Sequence, residues 1–333
     1  WGNGTAAHPD RRHLVFVGDL VDRGPDSAAV VQRVRSLVDA GRAHCLLGNH
    51  ELNLLLPEVK DDHLWIHGKQ QYYRQNRELL MPQASCSRAT AADIREWVQT
   101  LPVAAERPGL RIVHAAWVQP AIDALRDERE TNRSNLFDRW VEGIKKELGS
   151  VVVESAIERR SFPFKDPPEI EPPPVPTALR AMEFAMQNFH PLKSLTSGIE
   201  APRDSTFYVN GKWRYMKRVP WWNHYRDSDS VIMGHYWRSF EPAPLRDGSV
   251  QVERDPVVDH QALFKGTSSV GPIGPKRNVW CVDFSVGRRF RQRQMSDQDV
   301  ENEHFSGRLA CLRWPEREMV FDDGETVQPG ARV

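Results

Sequence analysis

Near the start of the chain, short apolar runs that stop at glycine flank a stretch whose apolar positions recur at helical spacing. Residues 14–17 (LVFV) are the first run and are expected to form a buried parallel strand. After Pro25, Asp26 or Ser27 can accept the free amides of a helix start, and Val30, Val31, Val34, Leu37 and Val38 then repeat every three or four positions. Gly41 suits a left-handed helix cap, and residues 43–47 read as a second strand. Strand, helix, strand implies a right-handed crossover, which brings both strands' C-terminal ends to one edge of a parallel sheet.

Further along, residues 52–108 are mainly helical in pattern, with 91–101 (AADIREWVQTL) the clearest amphipathic case. Residues 110–113 form a strand that delivers His114, and 120–150 are again helical. Residues 161–177 (SFPFKDPPEIEPPPVPT), rich in proline and charge, predict a linker or surface loop rather than core. A short helix at 179–188, a hairpin at 206–218 around Asn210-Gly211, and a strand at 230–233 running into Gly234-His235 follow. Strands are expected at 279–286, 309–314 and 319–321, the last two joined over Pro315 and Glu316. The layout implies one α/β domain over 1–333, with core 1–51, 109–118 and 228–333 and helical cap segments 52–108 and 119–227.

Chemistry gathers where strands end. Gly18-Asp19-Leu20-Val21-Asp22-Arg23-Gly24 follows the first strand and Gly48-Asn49-His50-Glu51 the second, while His114 and His235 close two later ones. Alone, an Asp-Arg-Gly is more often a turn, Gly-Asn-His-Glu a capped helix start, and a single histidine a packing residue. Their joint, ordered occurrence points instead to ligands for a metal-assisted attack on phosphate. Carboxylate, amide and imidazole donors without thiolate suit manganese, iron or zinc. His44, His67, His190 and His224 lack such context and read as surface or packing residues.

Composition removes other classes. With 45 basic against 45 acidic residues, net charge draws the chain to neither nucleic acid nor membrane. The basic run Arg288, Arg289, Arg291 and Arg293 lacks interleaved aromatics and reads as a solvated edge. Cys45, Cys86, Cys281 and Cys311 form no CxxC pair, so neither a zinc knuckle nor a disulfide framework is expected. No run of eighteen apolar residues and no signal peptide occurs, hence a cytoplasmic protein is expected. The chain opens on Trp1 rather than Met, so a preceding piece is expected too.

The strings GDLVDRG, GNHE, HAAW and GHYW resemble the signature motifs of the phosphoprotein phosphatase (PPP) type of calcineurin-like metallophosphoesterases. GHYWR, CVDFSVG and SGRLACLRWPEREMV are similar to the C-terminal strands of its bacterial branch. The resemblance covers 13–117 and 230–321 and implies a sandwich of two mixed β-sheets flanked by helices. It implies two divalent metal ions, manganese first and iron or zinc as alternatives. Asp19 would bridge them, and Asn49, His114 and His235 would bind the second. The first ion would also need an upstream Asp-x-His, which this sequence does not contain; Asp61 to His63 has that spacing, but in a charged stretch. Two expectations follow: a truncated domain lacking its N-terminal strand and helix, which is favoured, or a degenerate fold that has lost one metal; the chain as given is expected to show weak or single metal occupancy and little turnover.

By the same resemblance, Arg23 would grip phosphate oxygens, His50 would protonate the leaving oxygen, and Asp22 would hold the other ring nitrogen of His50. Arg238 is either a second phosphate clamp or a surface arginine; Trp221, Trp222, Tyr236 and Trp237 read as core packing rather than a stacking platform. The alanines of HAAW, where the family more often has glycine, would narrow the site or fill a gap. The implied activity is hydrolysis of phosphomonoesters, on a phosphorylated protein or a small phosphoester, by a metal-bridging hydroxide. Alternatives are a dinucleoside polyphosphate hydrolase, a nucleic-acid end phosphatase, or a non-catalytic scaffold of the same fold.

Overall fold

The computed structural model describes residues 8–58, 60–67, 74–75, 78–79, 83–165, 171–209, 211–239, 263–289 and 307–328. The chain starts as a parallel pair, β1 (Leu14–Phe16) and β2 (Ala43–Cys45), joined by helix α1 (Ser27–Asp39). Asp26 caps α1 by accepting the amide of Ala29, and Val31, Val34 and Leu37 form its buried stripe, while Val30 faces solvent. Gly41, at φ +66°, closes the helix, with its N–H on the Val38 carbonyl and that of Arg42 on Leu37. This double bond pattern is a Schellman cap. One expectation fails: β1 is half exposed rather than buried, because β2 is its one hydrogen-bonded partner among the described residues.

After β2 come α2 (Asn49–Leu55), a 3-10 turn (Asp61–His67), the short ladder β3 (Arg74–Gln75) and β4 (Glu78–Leu79), and α3 (Arg88–Gln99). Residues 52–108 are thus not helical throughout. They end in β5 (Ala104–Arg107), which turns at Gly109 (φ +80°) and pairs antiparallel with β6 (Leu110–Val113). Five helices follow: α4 (Gln119–Arg126), α5 (Arg133–Leu148), α6 (Val151–Ser161), α7 (Thr177–Asn188) and α8 (Pro191–Ser197). The stretch between α6 and α7 is not wholly surface, since Phe162, Phe164 and Val175 pack on Leu179, Tyr215 and Met216. The hairpin starts earlier than expected, as β7 (Glu200–Val209) and β8 (Lys212–Arg218), with Asn210 outside the described residues.

β9 (Ser230–Met233) and β10 (Val279–Cys281) complete a mixed sheet in the order β10-β9-β6-β5. A second sheet, β11 (Asp283–Phe284), β12 (Arg308–Arg313), β13 (Glu318–Phe321) and β14 (Thr326–Val327), is antiparallel throughout, not mixed as expected. The short turns that join β12 to β13 and β13 to β14 leave no room for a parallel crossover. Residues 279–286, expected as one strand, split at Val282, whose N–H binds the Met233 carbonyl while its side chain packs into the cores of both sheets. The chain thereby crosses from one sheet to the other. The fold is α/β, with two layered four-stranded sheets flanked by helices.

All four cysteines are free. No helix among the described residues is long and apolar enough to cross a membrane. What matters for chemistry is that β1, β2, β6 and β9 end at one edge. There Leu46 N–H meets the Phe16 carbonyl and Gly234 N–H that of His114.

Candidate metal centre and acid dyad

The two motif loops touch through their glycines. Gly18 lies at φ +96°, and a Cβ on it would fall 2.6 Å from Gly48 N and 2.8 Å from His114 Nδ1. A Cβ on Gly48 would fall 2.6 Å from both Asp19 N and Glu51 Oε2. Side chains at either position would drive the loops apart. Glu51, fully buried, binds the loops by accepting from the amides of Asp19 (2.9 Å), Leu20 (2.7 Å) and Gly48 (3.0 Å). As part of a capped helix start, Glu51 would be a residue of the first helical turn. Its position three residues after Gly48 was the signal for a capping box, but the reach to the other loop was not readable.

Beside this contact, ligand atoms of Asp19, His114 and His235 lie within 4.8 Å of one another, the one such group of His, Cys, Asp and Glu among the described residues. Asn49 Oδ1 joins them, 3.1 Å from His114 Nε2 and 2.9 Å from His235 Nδ1; Asp19 Oδ1 stands 3.2 Å from His114 Nε2. His114 Nδ1 donates to the Val17 carbonyl at 2.5 Å, so this nitrogen carries a proton. In the neutral ring Nε2 then presents a lone pair toward two oxygens that also accept. A divalent cation resolves that confrontation, and a histidine whose other nitrogen is fixed by a carbonyl is how proteins aim such a ligand. The donor set fits manganese, iron or zinc. Burial pushes the Asp19 carboxyl's pKa up, but positive charge around it, from His114 when that ring is protonated and from His50 and Arg23, outweighs burial and holds it below the ordinary range.

His50 lies on the same loop but serves another group. Its Nδ1 is 2.6 Å from Asp22 Oδ2, and both side chains are shielded from solvent. Burial pulls the imidazole's pKa down, yet Asp19 and Asp22 together raise it above the ordinary value. Asp22 is held from three more directions: Trp65 Nε1 donates to Oδ1 at 2.8 Å, His63 Nε2 stands 3.6 Å from Oδ2, and the Asp22 N–H donates to Ser27 Oγ. His63, the histidine of the Asp61-x-His63 spacing, therefore sits at the dyad and outside the ligand cluster.

Arg23 lies on the face of Trp237, 5.0 Å from ring centroid to guanidinium carbon, and Gly287 leaves both their room. The Trp237 loop is pinned by the half-buried Asp283, which accepts from the amides of Trp237 and Ser285, each at 2.9 Å. Asp19, Asp22, Arg23, His235 and Trp237 all adopt positive φ, between 50° and 71°, a strain that clusters at working sites. Arg238 departs from both expectations. It is 1% exposed, donates to the Ser268 carbonyl and lies over Phe264 and Phe284, so it is neither a surface residue nor aimed at the cluster. Trp221, Trp222 and Tyr236 are core, whereas Trp237 belongs to the site. Ala115 and Ala116 are fully buried against the core and fill a gap rather than narrow the site. Arg291 and Arg293 lie outside the described residues.

Strand ends that offer a carboxylate, an amide and two imidazoles beside an acid dyad describe the metallophosphoesterase class. Residues 4–160 match the family described as calcineurin-like phosphoesterase. It is 52% identical over 50 residues to the bis(5'-nucleosyl)-tetraphosphatase PrpE [asymmetrical] of Geobacillus thermodenitrificans (strain NG80-2), covering 15% of this chain and 20% of that protein. Over 126 residues it is 33% identical to the symmetrical bis(5'-nucleosyl)-tetraphosphatase of Shewanella sp. (strain MR-7), covering 37% of this chain and 41% of that one. The chain thus spans from a fifth to two fifths of the length of these relatives. The crystal structure of a cold-active protein-tyrosine phosphatase of a psychrophile Shewanella sp. is 14% identical, with a TM-score of 0.37 over 95% of this chain and 68% of that one, too distant to bear on substrate.

Proposed function

We propose that this protein is a metal-dependent phosphoesterase whose ion is held by Asp19, Asn49, His114 and His235. The carrying observation is His114: its Nδ1 donates to the Val17 carbonyl, so in the neutral ring its Nε2 lone pair faces the oxygens of Asn49 and Asp19. Bound there, a divalent ion would neutralise phosphoryl charge and activate water. The described residues supply one such cluster, so one ion is assigned to it, and a second rests on the family resemblance.

The chain's own groups do the rest. Arg23, braced on Trp237, offers its planar fork to phosphoryl oxygens. His50 has Nδ1 tied to Asp22, which leaves Nε2 to donate a proton to the departing oxygen. Asp22 stabilises the imidazolium that must exist before that transfer.

For substrate we infer a small phosphate ester or anhydride, with dinucleoside polyphosphates first. The names of the relatives favour that class over the phosphoprotein that the motif resemblance alone suggests. The test compares hydrolysis of diadenosine tetraphosphate, a phosphoserine peptide and an aryl phosphate with manganese present, beside Asp19→Asn. Faster turnover of the tetraphosphate, abolished in the variant, is expected. Preference for the peptide would overturn the substrate reading, and failure to bind manganese, iron or zinc would favour a scaffold.

A further inference from the structure

We propose that Trp65 is a positioning residue for the acid, locking the Asp22 carboxylate so that its Oδ2 faces His50. The inference rests on reading His50 as the proton donor. A carboxylate turns readily about its last side-chain bond, because that torsion is broad and two-fold. Asp22 does not have that freedom: Oδ2 is 2.6 Å from His50 Nδ1, and Oδ1 accepts the indole N–H of Trp65 at 2.8 Å. The two bonds engage opposite oxygens of one planar group and so fix both its rotation and its tilt. Indole is a donor only, so Trp65 can serve this carboxylate but can never take its proton or compete for His50.

Trp65 is itself immobile. It is 1% exposed, packed in the main core, and its carbonyl accepts the Cys86 amide at 3.0 Å, which ties the 3-10 turn to the entry of α3. His63, from the same turn, adds a ring 3.6 Å from Oδ2, and its own N–H bonds the Lys60 carbonyl. The turn Asp61–His67 thus reaches the dyad with two side chains from outside both motif loops. The metal ligands receive no contact from Trp65 in the bonds described. Loss of the indole N–H should therefore disturb proton donation and leave the ligand cluster intact.

The test uses the full chain with manganese and two substrates that differ in leaving group, phenyl phosphate and 2,4-dinitrophenyl phosphate. His50→Gln is expected to lose about a hundredfold on phenyl phosphate and little on the activated ester, since only the poorer leaving group needs a proton. Trp65→Phe should repeat that asymmetry at about tenfold, with KM unchanged. Replacing Trp65 by its benzothiophene isostere, which keeps the ring's shape and lacks the N–H, gives the same result even if phenylalanine loosens the core. A loss of equal size on both substrates, or no loss, overturns the role of Trp65 while leaving His50 as the acid. If His50→Gln shows no asymmetry, the acid reading itself has failed and the positioning role falls with it. An independent readout needs neither metal nor turnover: the His50 Nδ1 proton should give a downfield resonance that moves or broadens when the indole N–H is removed. An unchanged resonance contradicts the proposal.

Discussion

The loops that carry Asp19 and Asn49, with His114, are held by contacts in or next to the motif strings, whereas Asp22, which in turn holds His50, is held by side chains that arrive from elsewhere. In the ligand half, the contacts are the Gly18–Gly48 approach, the Val17 carbonyl on His114 and the amides gathered by Glu51. All of these lie in or next to the motif strings. In the acid half, Asp22 depends on Trp65 and His63, which belong to a turn between the motif loops and α3. The difference teaches that the two halves can fail separately. Changes in the intervening segments should reach proton transfer before they reach metal binding.

The largest effect should come from the ligand half. Asp19→Asn removes the carboxylate charge from the cluster, and turnover should fall by about 10³-fold, the several kcal/mol that a Lewis-acidic ion contributes. Retained turnover would show that the cluster is not where the chemistry happens. His50→Gln should cost about 10²-fold, with metal affinity unchanged. A parallel loss of affinity would merge the two halves that the geometry separates.

Glu51→Gln tests how the ligand half is braced. The amide that replaces one oxygen would meet backbone N–H groups of Asp19 and Gly48, or of Leu20 if flipped, and a buried donor left facing a donor costs about 2 kcal/mol. Chemical denaturation should record that loss, together with weaker metal binding. An unaltered stability would mean that the glycine contact alone holds the loops.

The smallest effect lies outside both halves and serves as their control. His190 is buried between α5 and α8, its Nε2 3.1 Å from the Phe137 carbonyl, and burial pulls its pKa down from 6.5 to about 4. As pH falls below 6.5 the unfolded chain takes up a proton first, so stability present above that value is lost progressively toward pH 4. The loss should be about 1 kcal/mol at pH 6, and His190→Gln, which can still donate to Phe137, should flatten it. If the slope persists in the variant, groups at the dyad are responsible instead.

Much of the ligand half was legible because its signals are local. A short apolar run followed by glycine and a polar residue placed Asp19, Asn49, His114 and His235 at strand ends, and the structure brings all four to one edge. The crossover β1–α1–β2 was legible for the same reason, since its cap and apolar stripe lie within one helix. What escaped is non-local. Trp65 and His63 lie in a charged stretch with no periodicity, and only tertiary packing brings them to Asp22. Arg238 follows a motif histidine in sequence, yet the chain turns at Trp237 (φ +50°) and sends it into the core. The split of 279–286 between two sheets likewise depends on what each half pairs with, because Val282 suits either core.

Metal binding tests the central claim most directly. Manganese titrated into the unaltered chain, Asp19→Asn and His50→Gln should bind the first and third alike and fail with the second. Binding that is equal in all three, or absent from all three, would contradict the assignment of Asp19, Asn49, His114 and His235 as one metal centre.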